Sequence, residues 1–163
     1  GRETGKRSIT HAQSHPPRHF REDARHRFLD AVTRTEGGSL AARPMSNNRE
    51  VEYDGDSYFF TCDDTRTVAD IRRDPNVGLA YQAKSGMLGM KPFFITVEGR
   101  AEVIKDKGRF ADHWHKELDA WFKQGIDTPG LTMIKVHAER LHYWDGYDEG
   151  EIDLTREKAA AEG

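Results

Sequence analysis

Cysteine is nearly absent from this sequence of 163 residues, in which Cys62 is the only one. The chain therefore cannot form an internal disulfide, and this favours a reducing, cytoplasmic setting. Cys62 has no histidine close to it in sequence, so an inert thiol is favoured over a catalytic nucleophile. The cysteine spacing of zinc sites is missing as well. His113 and His115 are two residues apart, so a helix would point them to different faces, and we expect no metal site.

Long apolar runs are also absent. Hydrophobic residues make up 36% of the chain and charged residues 33%, and no stretch approaches the length of a membrane span or of the apolar part of a signal peptide. The formal net charge of −3 provides no general argument for nucleic-acid binding. Glycine-rich phosphate loops of the Rossmann or Walker type are missing. We therefore expect a cytoplasmic protein with neither a nucleic acid nor a membrane as its partner.

The chain does contain a predicted strand, polar loop and short helix over residues 57–73. The segment 57–62 is aromatic and hydroxyl-rich, as a half-buried strand prefers. The loop places the Asp64 carboxylate and the hydroxyls of Thr65 and Thr67 where the helix can be capped. The N–H groups at the helix start, with these hydroxyls and the charge of Arg66, suit a phosphate. An ordinary N-cap beside a solvated arginine explains the same residues, and local features alone favour that alternative.

The rest of the chain predicts short strands joined by tight turns, which favour antiparallel pairing. The turn signal at 36–38 and Gly99, where a bulge or bend is expected in the longest strand, favour a curled sheet. The segment 31–35 also has the character of a short strand. Expected helices cover 20–31, 68–73 and 107–122, and expected strands cover 39–45, 51–53, 57–62, 77–83, 93–104, 131–138 and 141–144, with a turn at 139–140. We therefore predict a mainly β protein, a curled or closed antiparallel barrel with flanking helices.

Two of these elements carry information about their surroundings. In the strand over 39–45, alternation puts Arg43 and Met45 on one face and Pro44 on the other, and Pro44 favours an edge position. In the helix over 107–122, aromatic and aliphatic residues recur at spacings of three and four, which favours core packing over a cofactor site. That apolar stripe consists of Phe110, Trp114, Leu118, Trp121 and Phe122.

Several segments occur in the order and spacing of a known family. They are Ser39–Met45, Phe59–Thr61, Thr65–Pro75, Ile95–Val103, Trp121–Phe122 and Glu139–Asp145. In this ordered set the sequence is similar to the general stress protein 26 group, which belongs to the pyridoxamine 5′-phosphate oxidase-like, flavin-binding split-barrel superfamily. The resemblance extends over about Val32 to Gly146, and it rests on the set of segments, because no single one of them is specific.

The resemblance implies a six-stranded antiparallel split β-barrel with flanking helices. It also implies a homodimer with flavin mononucleotide (FMN) at the interface, held by residues of both chains; flavin adenine dinucleotide is the alternative cofactor. We expect a flavin-binding domain over 19–146, between an N-terminal tail over 1–18 and a C-terminal tail over 147–163. By motif match, the cofactor-binding residues are Arg43, Met45, Phe60, Thr61, Thr65, Arg66, Thr67, Thr96 and Trp144. Among them, Thr65 and Arg66 are expected to hold the phosphate.

The sequence departs from the family at three places, and one of them is the first strand, around 31–35, which is less apolar than the family usually shows. Thr67 stands where many relatives carry a lysine on the phosphate, so a point charge is lost there, although Arg66 and backbone N–H groups remain. The arginine-and-histidine substrate motif of the true oxidase is absent after Trp144. We therefore do not predict oxidation of pyridoxamine phosphate.

Three functions fit these residues. The first is a stress-related, FMN-dependent oxidoreductase in which Arg43 stabilises the reduced flavin. The second is a flavin-binding sensor or stress protein without turnover, and the third is a dimeric binding module that has lost its cofactor. We favour the first. No residue is identified as a general acid or base, and the sequence does not specify the small-molecule redox substrate or the electron donor.

Overall fold

The computed structural model describes residues 28–46, 55–83, 93–146 and 148–155, and the chain in these ranges is mainly β. All strand pairs are antiparallel, and they form one curled sheet with two α-helices. The strands are β1 (Phe28–Arg34), β2 (Leu40–Ser46), β3 (Asp56–Cys62), β4 (Asn76–Ala83), β5 (Phe93–Ile104), β6 (Leu131–Asp145) and β7 (Asp148–Asp153). The helices are α1 (Arg66–Arg73) and α2 (Lys107–His113), followed by 3₁₀ turns over Lys116–Ala120 and Gly125–Asp127. The predicted fold class is confirmed.

Six strands follow the order β2-β1-β4-β5-β6-β3 across the sheet, and β7 pairs with β6 in line with β3. The length of β6 allows this arrangement, because residues 131–137 pair with β3 and residues 140–145 pair with β7. β5 pairs with the other edge of β6 along both parts. β2 is an edge strand, as predicted from Pro44, since proline cannot donate a hydrogen bond to a neighbouring strand.

The main core lies on the inner face of the sheet, the face that carries α1. Val68 and Ile71 of α1 are buried there against alternate strand residues such as Phe59 and Ile134, because successive side chains of a strand point to opposite faces. The other buried members are Leu29, Ala31, Leu79, Ile95, Val97, Ala101, Val136, Ala138, Leu141, Ile152 and Leu154. Burial of this apolar stripe stabilises α1 and sets the position of its N-terminus.

A second, smaller core lies on the outer face, under α2 and the turns that follow it. Tyr58 and Met133 from β3 and β6 are buried there with Phe110 of α2. Phe60 packs edge-to-face on Phe110 and on Trp114, with ring centroids 5.8 and 5.0 Å apart. The aromatic stripe predicted for core packing therefore does pack on the sheet, except that Trp121 is 67% exposed.

The predicted helix over 20–31 is wrong in its described part, because residues 28–31 belong to β1. β1 has strand neighbours on both sides, β2 and β4. Leu29, Ala31 and Thr33 alternate into the buried inner face. Pairing on both edges therefore outweighs the helical spacing of a weakly apolar segment. Residues 20–27, the predicted strand over 51–53 and the loop at 84–92 lie outside the described residues.

The predicted helix over 107–122 is too long. It is capped by Asp106, whose Oδ1 accepts hydrogen bonds from the N–H groups of Gly108 and Arg109 at 2.8 and 3.3 Å. It ends at His113 because the backbone of Trp114 is extended, with ψ of 133°. The Trp114 indole N–H then donates to Asp119 at 3.0 Å, and its ring packs on Phe60, so tertiary contacts end the helix.

Two predictions near the C-terminus are also wrong. Glu139–Arg140 does not turn the chain, because β6 runs through it. The pairing with β5 shifts there from Arg140 opposite Glu98 to Ala138 opposite Gly99, which leaves Glu139 as the extra residue of a β-bulge. The segment past Gly146 was predicted as a tail, yet Asp148–Asp153 forms β7. The sequence does not predict this strand because its residues are mostly polar. Only Gly150 and Ile152 of it are buried.

Candidate functional site

A groove of about 580 Å³ lies at the start of α1, beside the turn between β1 and β2. Its walls come from two segments, 35–37 and 64–73, that are distant in sequence but are brought together when α1 packs on the inner face. The lining residues are Thr35, Glu36, Gly37, Asp64, Thr65, Arg66, Ala69, Asp70 and Arg73. Of the predicted cofactor residues, Thr65 and Arg66 therefore line one groove with two further charged residues of the same helix, Asp70 and Arg73.

Thr65 is the N-cap of α1, as the sequence predicted. Its Oγ1 accepts a hydrogen bond from the N–H of Val68 at 3.4 Å and donates to the carbonyl of Cys62 at 2.9 Å. Arg66 follows as the first helical residue, and it is exposed. The first N–H groups of a helix have no intrahelical acceptor and carry partial positive charge. The groove thus combines a helix N-terminus, a hydroxyl and an exposed guanidinium.

Arg43 and Thr67, both predicted to contact the cofactor, contact each other. Arg43 is on the inner face of β2 and its side chain is only 20% exposed. Its Nη1 donates to Thr67 Oγ1 at 3.0 Å, and its Nη2 approaches Asp70 Oδ2 at 3.4 Å. Thr67 is buried. This hydrogen bond ties the edge strand β2 to the first turn of α1.

Asp70 is the centre of this polar cluster, and the sequence reasoning missed it. Its carboxylate is buried, with 3% of the side chain exposed. Thr33 Oγ1 donates to Oδ2 at 2.9 Å, and Arg73 Nη1 approaches Oδ1 at 3.4 Å. The sequence does contain a signal: Asp70 is three residues after Thr67 and three before Arg73, so all three share one helix face.

The remaining predicted residues divide between the two faces of the sheet. Met45 packs against the main core, and Thr61 shares the inner face with Phe59. Phe60 is in the outer core. Thr96 is also on the outer face. It belongs to a row of cross-strand neighbours with Ala80 and His142, and on β2 this row ends at Pro44 and not at Arg43. Since Pro44 and Arg43 are adjacent in a strand, they point to opposite faces.

Trp144 is on the outer face at the far end of β6. Its ring stacks on His142 with centroids 4.0 Å apart and an interplanar angle of 16°. His142 Nε2 is 2.7 Å from Glu149 of β7, and Phe94, the neighbour of Trp144 on β5, is 37% exposed. Trp144 is eleven residues beyond Met133, the partner of Phe60, which is roughly 36 Å of extended strand. One chain therefore does not bring all the predicted residues together.

A second polar cluster lies on the outer face of β3 and β6, away from the groove. The buried Asp56 is hydrogen-bonded to His137 Nδ1 and is 3.3 Å from Lys135 Nζ. Burial raises the pKa of Asp56, but the hydrogen bond with His137 and the charge of Lys135 outweigh it and hold the pKa below its usual value. In the described ranges no three His, Cys, Asp or Glu side chains come together as a metal site, and no helix is long and apolar enough to cross a membrane.

The family model described as pyridoxamine 5′-phosphate oxidase like matches residues 19–162. The chain belongs to this family. None of the curated proteins matches it, but many solved structures share its fold. The predicted membership of the pyridoxamine 5′-phosphate oxidase-like family is thus confirmed, and the fold is shared with proteins of the general stress protein 26 group.

Three structural neighbours show how this oxidase-like chain relates to known folds. A protein related to general stress protein 26 from Clostridium acetobutylicum has a TM-score of 0.65 at 18% identity, covering 80% of this chain and 88% of that one. General stress protein 26 from Bacillus anthracis has a TM-score of 0.60 at 18% identity, with coverage of 82% and 99%. A heme binding protein from Mycobacterium smegmatis has a TM-score of 0.67 at 19% identity, with coverage of 86% and 59%.

The donors of the groove in this oxidase-like chain fit a phosphate monoester. Arg66, Arg73 and the first N–H groups of α1 favour an anion, whereas the Thr65 hydroxyl donates its proton to the Cys62 carbonyl. Glu36 and Asp64 are carboxylates on the same walls and oppose it. The charge of Asp70 is offset by the two arginines beside it. The groove is thus suited to one phosphate held close to the helix start.

Proposed function

We propose that this oxidase-like protein is an FMN-binding flavoprotein with a stress-related, oxidoreductase-like function. Bound flavin supplies the redox chemistry, while the chain binds and orients it. The proposal is supported by family membership and by one observation above all. The groove at the start of α1 joins a capped helix N-terminus to the exposed guanidinium of Arg66.

In this proposal the FMN phosphate binds in the groove. Arg66 supplies the charge and the first N–H groups of α1 supply directed donors, while Thr65, whose hydroxyl donates to the Cys62 carbonyl, caps the helix start. Thr67 does not replace the lysine of relatives as a phosphate ligand in this arrangement, because its side chain is buried beside Arg43 and does not line the groove. A groove that is suited to a phosphate also favours FMN over heme, because heme has no phosphate.

The flavin ring is proposed to lie between two copies of the chain. The support for a homodimer is the division of the predicted residues described above. Thr96 and Trp144 are on the outer face, whereas Arg43 and Met45 are on the inner face of the same sheet. A second copy that supplies one of these groups would complete a site that one chain leaves divided. Sedimentation at micromolar concentration tests this: a monomer with full FMN affinity would contradict it.

Whether the flavin turns over separates an oxidoreductase from a sensor. Reduction of the bound flavin by a nicotinamide donor, followed by reoxidation with candidate acceptors, is the discriminating measurement. Productive reoxidation by an organic acceptor supports the oxidoreductase. Reduction without any productive acceptor supports a flavin-binding protein without turnover. A chain that binds no flavin is left with the third function, a dimeric binding module.

The Arg66→Ala variant tests the phosphate site directly. Loss of a charge-assisted partner is expected to weaken FMN binding by ~1–3 kcal/mol, measured by quenching of flavin fluorescence during titration. Arg72→Ala is the matched control, because Arg72 is an exposed arginine of the same helix that does not line the groove. Riboflavin, which has no phosphate, should bind equally to all three proteins.

The outcomes separate the candidate functions. Equal FMN affinity of wild type and Arg66→Ala would remove Arg66 from the site. A wild-type protein that is colourless, binds no FMN and shows saturable absorbance changes with hemin would instead be a heme-binding protein. Heme binding is named for its mycobacterial neighbour.

A further inference from the structure

Asp70 is an acidic residue in a groove that we propose binds an anion, and by charge alone it opposes that ligand. It is also the most enclosed charged group of the groove, with 3% of its side chain exposed. Burial of a carboxylate is costly unless it is hydrogen-bonded and paired. The hydrogen-bond and ion-pair partners of Asp70 offset the cost of burying it. They also indicate the role of the carboxylate in the groove.

Three donors from three different elements converge on Asp70. Thr33 of β1 donates to Oδ2 at 2.9 Å, Arg43 of β2 approaches the same oxygen at 3.4 Å, and Arg73 approaches Oδ1 at 3.4 Å. Two guanidinium groups face one carboxylate, so the cluster keeps one net positive charge. The carboxylate thus holds two cations in place and is outweighed by them.

The arginine contacts to Asp70 leave both guanidinium groups with donors for a further ligand. A distance of 3.4 Å is long for a charge-assisted hydrogen bond, which is typically about 2.7–2.9 Å. A guanidinium carries five N–H donors, and Arg43 directs two nitrogens to Thr67 and Asp70. Arg73 lines the groove and 41% of its side chain is exposed. It can therefore turn a second N–H toward a phosphate without leaving Asp70.

We infer that Asp70 is a positioning residue for phosphate binding: it holds Arg73 at the wall of the groove and ties Arg43 to the first turn of α1. This inference rests on the proposed function and deepens it, because it names the group that orients the cations. Asp70 does not touch the phosphate. It contributes by pre-organising a flexible arginine side chain, which lowers the conformational entropy that is lost when the phosphate binds.

The inference makes a prediction of opposite sign to simple electrostatics. If only charge mattered, Asp70→Asn would remove a negative charge from the groove and would strengthen FMN binding. If Asp70 positions Arg73, the same variant weakens FMN binding, because the arginine loses its anchor. We expect an affinity loss of roughly tenfold for FMN, the size of one charge-assisted hydrogen bond, with riboflavin binding unchanged.

Asp64→Asn is the matched control. Asp64 lines the same groove but, among the residues that the structure describes, it makes no ion pair with an arginine. Its removal should therefore strengthen FMN binding. A third variant, Arg73→Gln, should weaken FMN binding as Asp70→Asn does, and the double variant should lose no more than either single one, because both act through the same contact.

The measurements are FMN and riboflavin titrations of each variant at low and high salt, with thermal unfolding as a check of folding. Tighter FMN binding by Asp70→Asn overturns the inference, and so does an equal loss of FMN and riboflavin, which indicates a purely structural role. If Asp70→Asn does not fold, Arg73→Gln decides, since its side chain is partly exposed: an unchanged FMN affinity overturns the inference.

Failure of the proposed function has a different signature. In that case the wild-type protein binds neither FMN nor riboflavin. The inference is then tested with inorganic phosphate alone. It is supported if phosphate raises the melting temperature of the wild type and of Asp64→Asn but not that of Asp70→Asn. Absence of any phosphate effect on the wild type overturns both the inference and the phosphate groove.

Discussion

Gly99 lies where β5 pairs with the bulge of β6, and its surroundings leave no space for a side chain. A Cβ atom at this position would be 2.7 Å from the carbonyl oxygen of His137 and 3.0 Å from Val136 Cγ1. Both neighbours belong to the strand opposite, and one of them is backbone. The sequence indicated a bulge or bend at this glycine, and the structure shows that the extra residue, Glu139, is on the partner strand.

Gly99→Ala should therefore destabilise the protein by about 1–3 kcal/mol, as overpacking against a backbone atom does. Gly37→Ala is the control, because a Cβ there has nothing within 4 Å, and it should change the free energy of unfolding by no more than about 0.5 kcal/mol. Urea unfolding of both variants measures the difference. Equal stability of the two variants would show that β5 and β6 separate easily at the bulge.

Thr67 has a role that a comparison of residue types does not reveal. A lysine at this position in many relatives suggested a lost phosphate ligand. In the fold, the short Thr67 side chain is buried and accepts the hydrogen bond of Arg43. Thr67 thus ties β2 to the first turn of α1, while the two arginines that line the groove, Arg66 and Arg73, come from the helix itself.

The helices of this protein are short, so their caps contribute a large share of their local stability. α1 has eight residues and α2 has seven. Thr65 caps the first and Asp106 caps the second, each through its side-chain oxygen. Thr65 was one of the caps predicted from sequence, and Asp106 is likewise a preferred N-cap residue type. The ends of the two helices depend on their surroundings instead.

Asp106→Ala should lower the free energy of unfolding by ~0.5–2 kcal/mol, because the N–H groups of Gly108 and Arg109 lose their acceptor. Asp106→Asn is the conservative control and should keep most of the stability, since asparagine caps helices about as well as aspartate. Chemical denaturation followed by tryptophan fluorescence reports on α2, which lies beside Trp114. Equal losses in the two variants would indicate that the charge, and not the cap, is what matters.

The outer-face cluster around Asp56 makes the stability of the folded protein depend on pH. The pKa of Asp56 is lowered from 3.8 in the folded protein, where hydrogen bonding to His137 and the charge of Lys135 outweigh burial. Burial lowers the pKa of Lys135, yet the charge of Asp56 outweighs it and raises that pKa. The carboxylate is at the start of β3 and its partners are on β6, so it stabilises the pairing of these two strands.

The sign of the acid dependence follows from the lowered pKa. Above 3.8 both the folded and the unfolded chain carry the charged carboxylate, and the stabilisation is fully present. It is lost as the pH falls through 3.8 and on through the lower pKa of the folded state. Asp56→Asn should therefore cost about 1–3 kcal/mol at neutral pH and should show a flatter decline of stability in acid.

Melting temperatures measured from neutral pH down to about pH 3 test this expectation. The control is Asp127→Asn, whose partner Lys107 is at the surface, and which should change stability by less than about 1 kcal/mol. If the decline in acid has the same slope in wild type and in Asp56→Asn, another carboxylate is responsible.

The groups proposed for FMN extend over the whole molecule. The groove proposed for the phosphate is at α1, whereas Thr96 and Trp144 are on the opposite face of the sheet. Residue-by-residue transfer from the family identified Thr65 and Arg66, which line this groove. It did not identify Asp70, because that carboxylate is held by Thr33 of β1 and Arg43 of β2, which are more than twenty residues earlier in the chain.

Local chemistry was sufficient to predict β2, β3, β4 and β5, the N-caps, the edge position of Pro44 and the mainly β class. Each of these depends on a few neighbouring residues whose alternation, hydroxyl groups or ring constraints act at short range. The long-range contacts decided the rest. Pairing on both edges made β1 a strand, pairing with β6 made the polar segment 148–153 a strand, and packing of Trp114 ended α2. The same physical reason applies beside the groove: Thr33 and Arg43 reach Asp70 only when α1 is packed on the inner face.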